Sequence, residues 1–367
     1  MLGVRPVLVL LALLALLVAP TTAAAAVADE NSMVWPKPQS QTLGGRTGVV
    51  SATAFVFRHA PDSAAAGSST LSAAFTRYSG IVFQHKPEPM TWVGRCHTPP
   101  CPPAPAPVNR SLPLTSLIVK VASQDESLTL HTSENYTLTI AFPTATLVAD
   151  TVFGALRGLE TFSQLVQPDY SLREQDITDF PRFAFRAVLV DTARHFLPVS
   201  TLLAHLDAMA YNKMNVLHWH IVDMPSFPFV SKRFPQLSQG GAFDQSHTYS
   251  PAEVAQIVAY ARDRGIRIIA EFDVPGHTFP SWDLPGVLHR NSTLLTQCAT
   301  YDSVGGYGPL RADLESTYVF LQALLEEVAS VFPDSVLNVG GDEVKPACYE
   351  QNPEVAAYLK ANNMTGT

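Results

Sequence analysis

This chain is poor in charge: Asp, Glu, Lys and Arg make up 15% of its 367 residues, against about a quarter in an average globular protein. The formal net charge is −8 and no run of Lys or Arg stands out, which disfavours a nucleic-acid partner. Cysteine is scarce as well. There are four, with no CxxC pair, so the common zinc and dithiol motifs are missing. No Gly-x-Ser-x-Gly elbow occurs, which argues against a serine hydrolase. Beyond the N-terminus no apolar run approaches the ~18 residues that would cross a bilayer. With 47% apolar residues, what remains is a folded body long enough for two domains.

One long apolar run does exist, at the very start. Met1–Arg5 carries a single positive charge, Pro6–Ala19 is almost all Leu, Val and Ala, and the small residues Ala23–Ala28 follow. The pattern predicts a secretory signal peptide over residues 1–28; an uncleaved membrane anchor is the alternative, disfavoured by its length. Sequons at Asn109, Asn135, Asn291 and Asn363 fit a glycoprotein made by that route. So does an even cysteine count, Cys96, Cys101, Cys298 and Cys348. Cys96 and Cys101 sit in a proline-rich loop and would close a tight ring. Sequence alone leaves three pairings open.

From Trp35 the pattern is mixed. Leu128–Leu130 and Tyr136–Ile140 alternate around Ser133–Asn135, which predicts a hairpin. Val152, Leu156, Leu159, Phe162 and Val166 then form one helical stripe. The prolines of 99–107 predict a loop. We expect residues 29–175 to form an α+β domain.

Beyond Phe180 strands and helices alternate. Strands are expected near Phe185, Val216, Ile266 and Val336, with a helix opening at Ser250-Pro251-Ala252-Glu253 and stopped at Gly265. Such alternation implies parallel strands with helices outside. Each strand ends in residues able to do chemistry: Asp191 and Arg194, Asp223, Asp273 and His277, then Asp342 and Glu343. Function gathered at C-terminal strand ends is a property of β/α barrels. A doubly wound sheet is the alternative, but no glycine-rich phosphate loop follows the first strand. Four strand-helix units are legible, half of a (β/α)8 barrel, over residues 176–367.

The sharpest motif is Val336–Glu343. An apolar strand breaks at Gly340 and Gly341 and presents two adjacent carboxylates, Asp342 and Glu343. Acids at the end of an apolar strand are costly in a core and usually face a cleft. Neighbours in sequence cannot easily straddle a sugar as a nucleophile and acid some 5 Å apart would. A division of labour fits better, one acid donating a proton and the other orienting substrate, because mutual repulsion disfavours ionising both. The bland alternative is a pair that caps a helix or binds an arginine. Arg194 suits sugar hydroxyls or a carboxylate, or a structural bridge to a strand-end aspartate. His218 and His220 flank Trp219 on one face. With Asp273 and His277 they hint at zinc, but the spacing matches no zinc signature, so no metal is expected and supporting or core roles fit better.

On these residues the chain resembles the β-N-acetylhexosaminidases of glycoside hydrolase family 20, lysosomal type. The likeness is carried by Thr151–Phe162, Asp191–His195, Met209–Asn215, His218-Trp219-His220, Glu271–His277 and Gly340–Glu343. It spans about Trp35 to Lys360. It implies an N-terminal α+β domain before a β/α barrel, and no cofactor. It also implies removal of terminal non-reducing β-linked N-acetylhexosamine by substrate-assisted, retaining catalysis.

Carried over by motif, Glu343 is the general acid, Asp342 orients the 2-acetamido group, and Arg194 binds hydroxyls of the terminal sugar. Asp223, His277 and Asp273 support Glu343, and Cys298–Cys348 is a disulfide near the site. Met224 departs from the pattern, standing where family members commonly carry a second aspartate. The family's later strands, which wall the sugar pocket, have no counterpart before Thr367, so a C-terminally truncated chain is expected. An incomplete fragment or a non-catalytic secreted sugar-binding protein is the alternative; a family-18 chitinase would need an Asp-x-x-Asp-x-Asp-x-Glu run that is absent. The expected partner is an oligosaccharide or glycoconjugate, with a homodimer also anticipated, in the lysosome or outside the cell.

Overall fold

The computed structural model describes residues 34–84, 109, 111–279, 281–282, 294–298, 306–341 and 343–364. The expected signal peptide, Cys96, Cys101, the 99–107 loop, Asn291 and Asp342 lie outside them.

The first region is a mixed sheet with two helices on one face. Its elements are β1 (Ser40–Val50), β2 (Val56–His59), α1 (Ser69–Val82), β3 (Pro113–Leu114), β4 (Ser116–Val121), β5 (Tyr136–Ile140), β6 (Thr144–Ala149), α2 (Val152–Leu165) and β7 (Ser171–Asp179). The seven strands run in the order β2-β4-β6-β5-β7-β1-β3. Strict alternation decides which face is covered: β4 buries Leu117, Val119 and Val121, and β5 buries Tyr136, Leu138 and Ile140. Helix α2 is capped by Thr151, whose hydroxyl accepts the Gly154 N–H. It sits so close to the sheet that a Cβ on Gly158 would meet Leu147 Cδ1 at 2.2 Å. The predicted stripe Val152, Leu156, Leu159 and Phe162 is buried there.

Two expectations shift. Leu128–Leu130 is not a strand; Tyr136–Ile140 instead pairs antiparallel with Thr144–Ala149 and with β7. Alternation in a short segment names its faces but not its partner, and the Thr132 hydroxyl, accepting from the Thr129 N–H and donating to the Ser127 carbonyl, turns that segment into a loop. Strand β7 belongs to the first sheet through Asp179, past the expected boundary at residue 175.

The second region opens with β8 (Ala187–Asp191), α3 (Val199–Tyr211), β9 (Val216–Val222), α4 (Gln236–Gly241), α5 (Pro251–Arg262) and β10 (Arg267–Phe272). It continues with β11 (Leu295–Gln297), β12 (Tyr307–Leu310), α6 (Glu315–Val331), α7 (Pro346–Gln351) and α8 (Pro353–Ala361). β8, β9 and β10 are parallel neighbours. The predicted capping box at α5 forms, with Ser250 and Glu253 exchanging hydrogen bonds and Pro251 in the first turn. The fourth expected strand is a single parallel bridge, Asn338 to Glu271, continued by a Val274 N–H to Val339 carbonyl bond of 2.9 Å. It ends where Gly340 and Gly341 take positive φ. This is the first part of a β/α barrel following an α+β domain.

The two faces of this arc differ sharply. Outward, Leu217, Trp219, Ile221, Ile268, Ala270 and Phe272 pack into one core with α3, α5 and α6. Inward, register aligns Asp191, His220 and Glu271 across the three strands.

A buried ionic joint ties the arc to the first sheet. Glu134 accepts from Arg157 of α2 and from Arg186 and Asn215 of the second region. Arg157 also donates to the carbonyls of Arg264 and Gly265 at 3.1 and 2.7 Å. Two arginines and an amide around one carboxylate satisfy a charge that would otherwise be prohibitive to bury, and hold Glu134 below the usual carboxylate range despite the opposing effect of burial.

Candidate active site

Of the predicted residues, Arg194, Asp223, Asp273, His277 and Glu343 gather at the C-terminal strand ends of the arc. Asp191 closes β8, and its Oδ1 accepts the Ala193 and Arg194 N–H groups, so the chain turns and brings the Arg194 side chain back over the strand ends. Arg194 Nη1 pairs with Asp191 Oδ2 at 2.8 Å and Nη2 with Asp223 Oδ2 at 2.9 Å. Both the functional and the structural expectation for Arg194 therefore have a basis: it is bridged to two aspartates, yet its side chain is 40% exposed.

Asp223 follows β9 and is the most enclosed member, 1% exposed. One oxygen faces Arg194 and, at 2.8 Å, His220 Nε2; the other accepts from His277 Nδ1 at 3.0 Å and from the Met224 N–H. Burial alone would raise its proton affinity, but the hydrogen bonds from His220 and His277 win and hold it below the usual carboxylate range.

His277 lies past β10 in the left-handed region, φ 54°. That conformation is strained for a residue with a Cβ and recurs at functional sites. It aims Nε2 at Glu343 Oε2, 3.4 Å away. Glu343 is itself left-handed, φ 51°, and its side chain is 76% exposed.

The glycines before the acid pair have a definite task. A Cβ on Gly340, φ 64°, would fall 2.2 Å from Asp273 Oδ1, and the Gly341 N–H donates to that same oxygen at 2.8 Å. Asp273, fully buried, thus anchors the loop that carries the acids. Cys298 and Cys348 form a disulfide that ties the segment at β11 to helix α7, just beyond Glu343.

The ligand atoms of His220, Asp223 and Asp273 lie within 4.8 Å of one another, close enough to hold a metal ion. The donor set is a poor fit, since Asp223 already faces the Arg194 guanidinium and two imidazoles.

Sequence reasoning overlooked Glu271 and Asn338. Glu271 binds His218 and His220, and Asn338 Nδ2 reaches Glu271 Oε2 at 3.2 Å. A signal was present: Glu271 is an acid inside the otherwise apolar run Ile268–Phe272, where a charge must find partners.

Residues 183–367 match the description "Glycosyl hydrolase family 20, catalytic domain". The chain belongs to glycoside hydrolase family 20. Residues 34–165 match a second description, "beta-acetyl hexosaminidase like". Among curated proteins of the family, the chain is 43% identical to β-hexosaminidase subunit β of Felis catus, over 96% of this chain and 64% of that one. It is 42% identical to subunit α of Rattus norvegicus, over 93% of this chain and 63% of that one. The chain thus spans under two thirds of the length of these relatives. Among solved structures it resembles a Flavobacterium johnsoniae chitobiase, with TM-score 0.71, 26% identity, and 91% of this chain and 48% of that one covered. An exo-β-N-acetylglucosaminidase from Vibrio harveyi, in complex with N-acetylglucosamine, shares the fold at TM-score 0.69, with 21% identity and coverage of 92% and 50%.

Proposed function

We propose that this family-20 chain serves as an exo-glycosidase, removing terminal non-reducing β-linked N-acetyl-D-hexosamine from oligosaccharides or glycoconjugates. The observation that carries the proposal is the His277–Glu343 contact at the open end of the arc, backed by buried Asp223 and flanked by Arg194. An exposed carboxyl group oriented by an enclosed imidazole suits a proton donor that must reach a substrate.

In this scheme Arg194 binds hydroxyls of the terminal sugar. Glu343 protonates the glycosidic oxygen as the acetamido carbonyl oxygen attacks C1 from the opposite face. The C1–oxygen bond breaks, the aglycone leaves as an alcohol, and an oxazolinium ring holds the sugar. Asp342 orients the acetamide and balances the positive charge on that ring. Glu343, now a carboxylate, takes a proton from water as its oxygen attacks C1 and opens the ring, so the β configuration is retained. Asp273 holds the loop and no metal or organic cofactor takes part.

The setting is the secretory pathway, ending in the lysosome or outside the cell, with residues 1–28 acting as a signal. Among the sequons, Asn109, Asn135 and Asn363 are exposed, as glycan attachment requires. No helix among the described residues is long and apolar enough to cross a membrane. A homodimer completes the proposal.

Release of 4-nitrophenol from its N-acetyl-β-glucosaminide tests the scheme. Glu343→Gln should lower kcat by about 10²- to 10⁴-fold, the usual worth of a positioned general acid. The matching glucoside without an acetamide should not be cleaved. Equal rates on both sugars would sink substrate assistance. The high exposure of Glu343 favours one other reading, a sugar-binding protein without turnover. Sugar-dependent thermal stabilisation with no product release would establish it.

A further inference from the structure

Behind Asp223 and His277 the inner face carries three more ionisable side chains in one line. His220 lies between two carboxylates, with Nε2 2.8 Å from Asp223 Oδ2 and Nδ1 3.2 Å from Glu271 Oε1. Glu271 Oε2 is in turn hydrogen-bonded to His218 Nε2. Acid and imidazole thus alternate without a break: Glu343, His277, Asp223, His220, Glu271, His218. Backbone register builds the deep end, because His220 is paired directly with Glu271 on one side and Asp191 on the other.

We propose that His220 and Glu271 are positioning residues for the proton donor: His220, held between Glu271 and Asp223, sets the protonation of His277 against Glu343. The proposal rests on Glu343 being the donor.

The physical case has three parts. Burial by itself would discharge His220. Hydrogen bonds that His220 donates to Asp223 and Glu271, with the charges of Glu271 and Asp191, outweigh it and push its pKa up to about 10. Glu271 stays below the usual carboxylate range for the reciprocal reason: burial opposes its charge, while His220 and His218 favour it more. The imidazolium then donates both of its N–H groups. Arg194 Nη1, 3.3 Å from His220 Nε2, is therefore a neighbouring cation and not a donor to that nitrogen.

Second, with Asp223 Oδ2 held by His220 and Arg194, Oδ1 is left to accept from His277 Nδ1 at 3.0 Å. That hydrogen bond fixes the tautomer, so Nε2 is the nitrogen presented to Glu343. Third, the charges facing this pair are unequal. His220 and Arg194 are the cations; Asp191, Asp223, Glu271 and Asp273, whose Oδ2 is 4.0 Å from His277 Nδ1, are the anions. Discharging His220 leaves Arg194 alone against those carboxylates. His277 then holds a second proton to higher pH. An imidazolium beside Glu343 favours its carboxylate, so the donor is lost at lower pH.

The test is a proton-NMR titration of the histidine rings in the 367-residue chain, with no substrate present. His220→Gln should raise the His277 midpoint by about half a unit or more, and Glu271→Gln should lower that of His220 by about one unit or more, as expected for loss of a close opposite charge. In turnover, His220→Gln should move the alkaline limb of kcat/KM to lower pH by a similar amount. A substrate whose leaving group needs no proton should show a smaller loss of kcat. A His277 midpoint that does not move, or a His220 that titrates as an ordinary imidazole near 6.5, overturns the proposal. Should His220→Gln fail to fold, the Glu271→Gln titration decides alone. The ring titration needs no activity: a chain that titrates as described but releases no sugar overturns the donor role of Glu343 and with it the positioning role, while the coupling of His220 to His277 stands.

Discussion

The first sheet and the barrel arc solve the same problem in opposite ways. Each must bury one face and do something with the other. The first sheet covers its apolar face with α1 and α2 and turns threonines such as Thr137 and Thr139 to water. The arc also buries an apolar face, but on its other side ionisable groups satisfy one another in rows across the strands. The first region is dominated by packing, with isolated buried polar pairs such as Tyr78–Glu160; the other mixes packing with rows of paired charge. Paired charge is sensitive to the loss of any single partner, because what remains is a buried ion without a counterpart. It is also sensitive to pH, which close packing is not.

The strongest way to break that contrast is at the joint between the regions. Glu134→Ala orphans Arg157 and Arg186 together and should cost about 3–5 kcal/mol, the usual effect of removing one partner from a buried ionic cluster. Denaturant unfolding measures it, and a loss below ~1 kcal/mol would mean that the Glu134 cluster is not what joins the regions. Next is Leu147→Ala in the first sheet, where the side chain is fully enclosed. It should cost about 2–5 kcal/mol.

Acidity sharpens the comparison further. His220 has its pKa raised from 6.5 to about 10 on folding, so the stabilisation it contributes is complete below pH 6.5 and fades as pH rises towards 10. The gap in Tm between the parent chain and His220→Gln should therefore narrow across that window, while the gap for Leu147→Ala should stay level. A constant gap for His220→Gln would show an imidazole held neutral. The smallest effect is expected at Leu189, on the inner face of β8 and 54% exposed. Leu189→Ala should change stability by no more than about 0.5 kcal/mol.

How legible these features were depended on how local their cause is. The α5 capping box was readable because Ser250 and Glu253 meet within one helical turn. The need for glycine at 340 and 341 was readable as a break in an apolar strand next to acids, although only the structure shows that Asp273 Oδ1 crowds position 340 and that position 341 requires a φ of 99°. The expected hairpin at 128–140 failed for the converse reason. Alternation in Tyr136–Ile140 was real, but β6 and β7 lay on either side of it and the loop before it did not. Glu271 was passed over because its importance comes from histidines more than fifty residues upstream.

By itself, then, the amino-acid order determined which residues face inward, where α5 starts, where the last strand breaks, and which acids and arginine stand at strand ends. Those properties follow from the periods of helix and strand and from backbone rules acting over a few residues. Tertiary structure alone decided which strands became neighbours, and so which charges met. It placed His220 between Asp223 and Glu271, set His277 against Glu343, and brought Arg186 to Glu134. Cross-strand register and domain docking are long-range choices, made by the whole core at once, and no short window of sequence contains them.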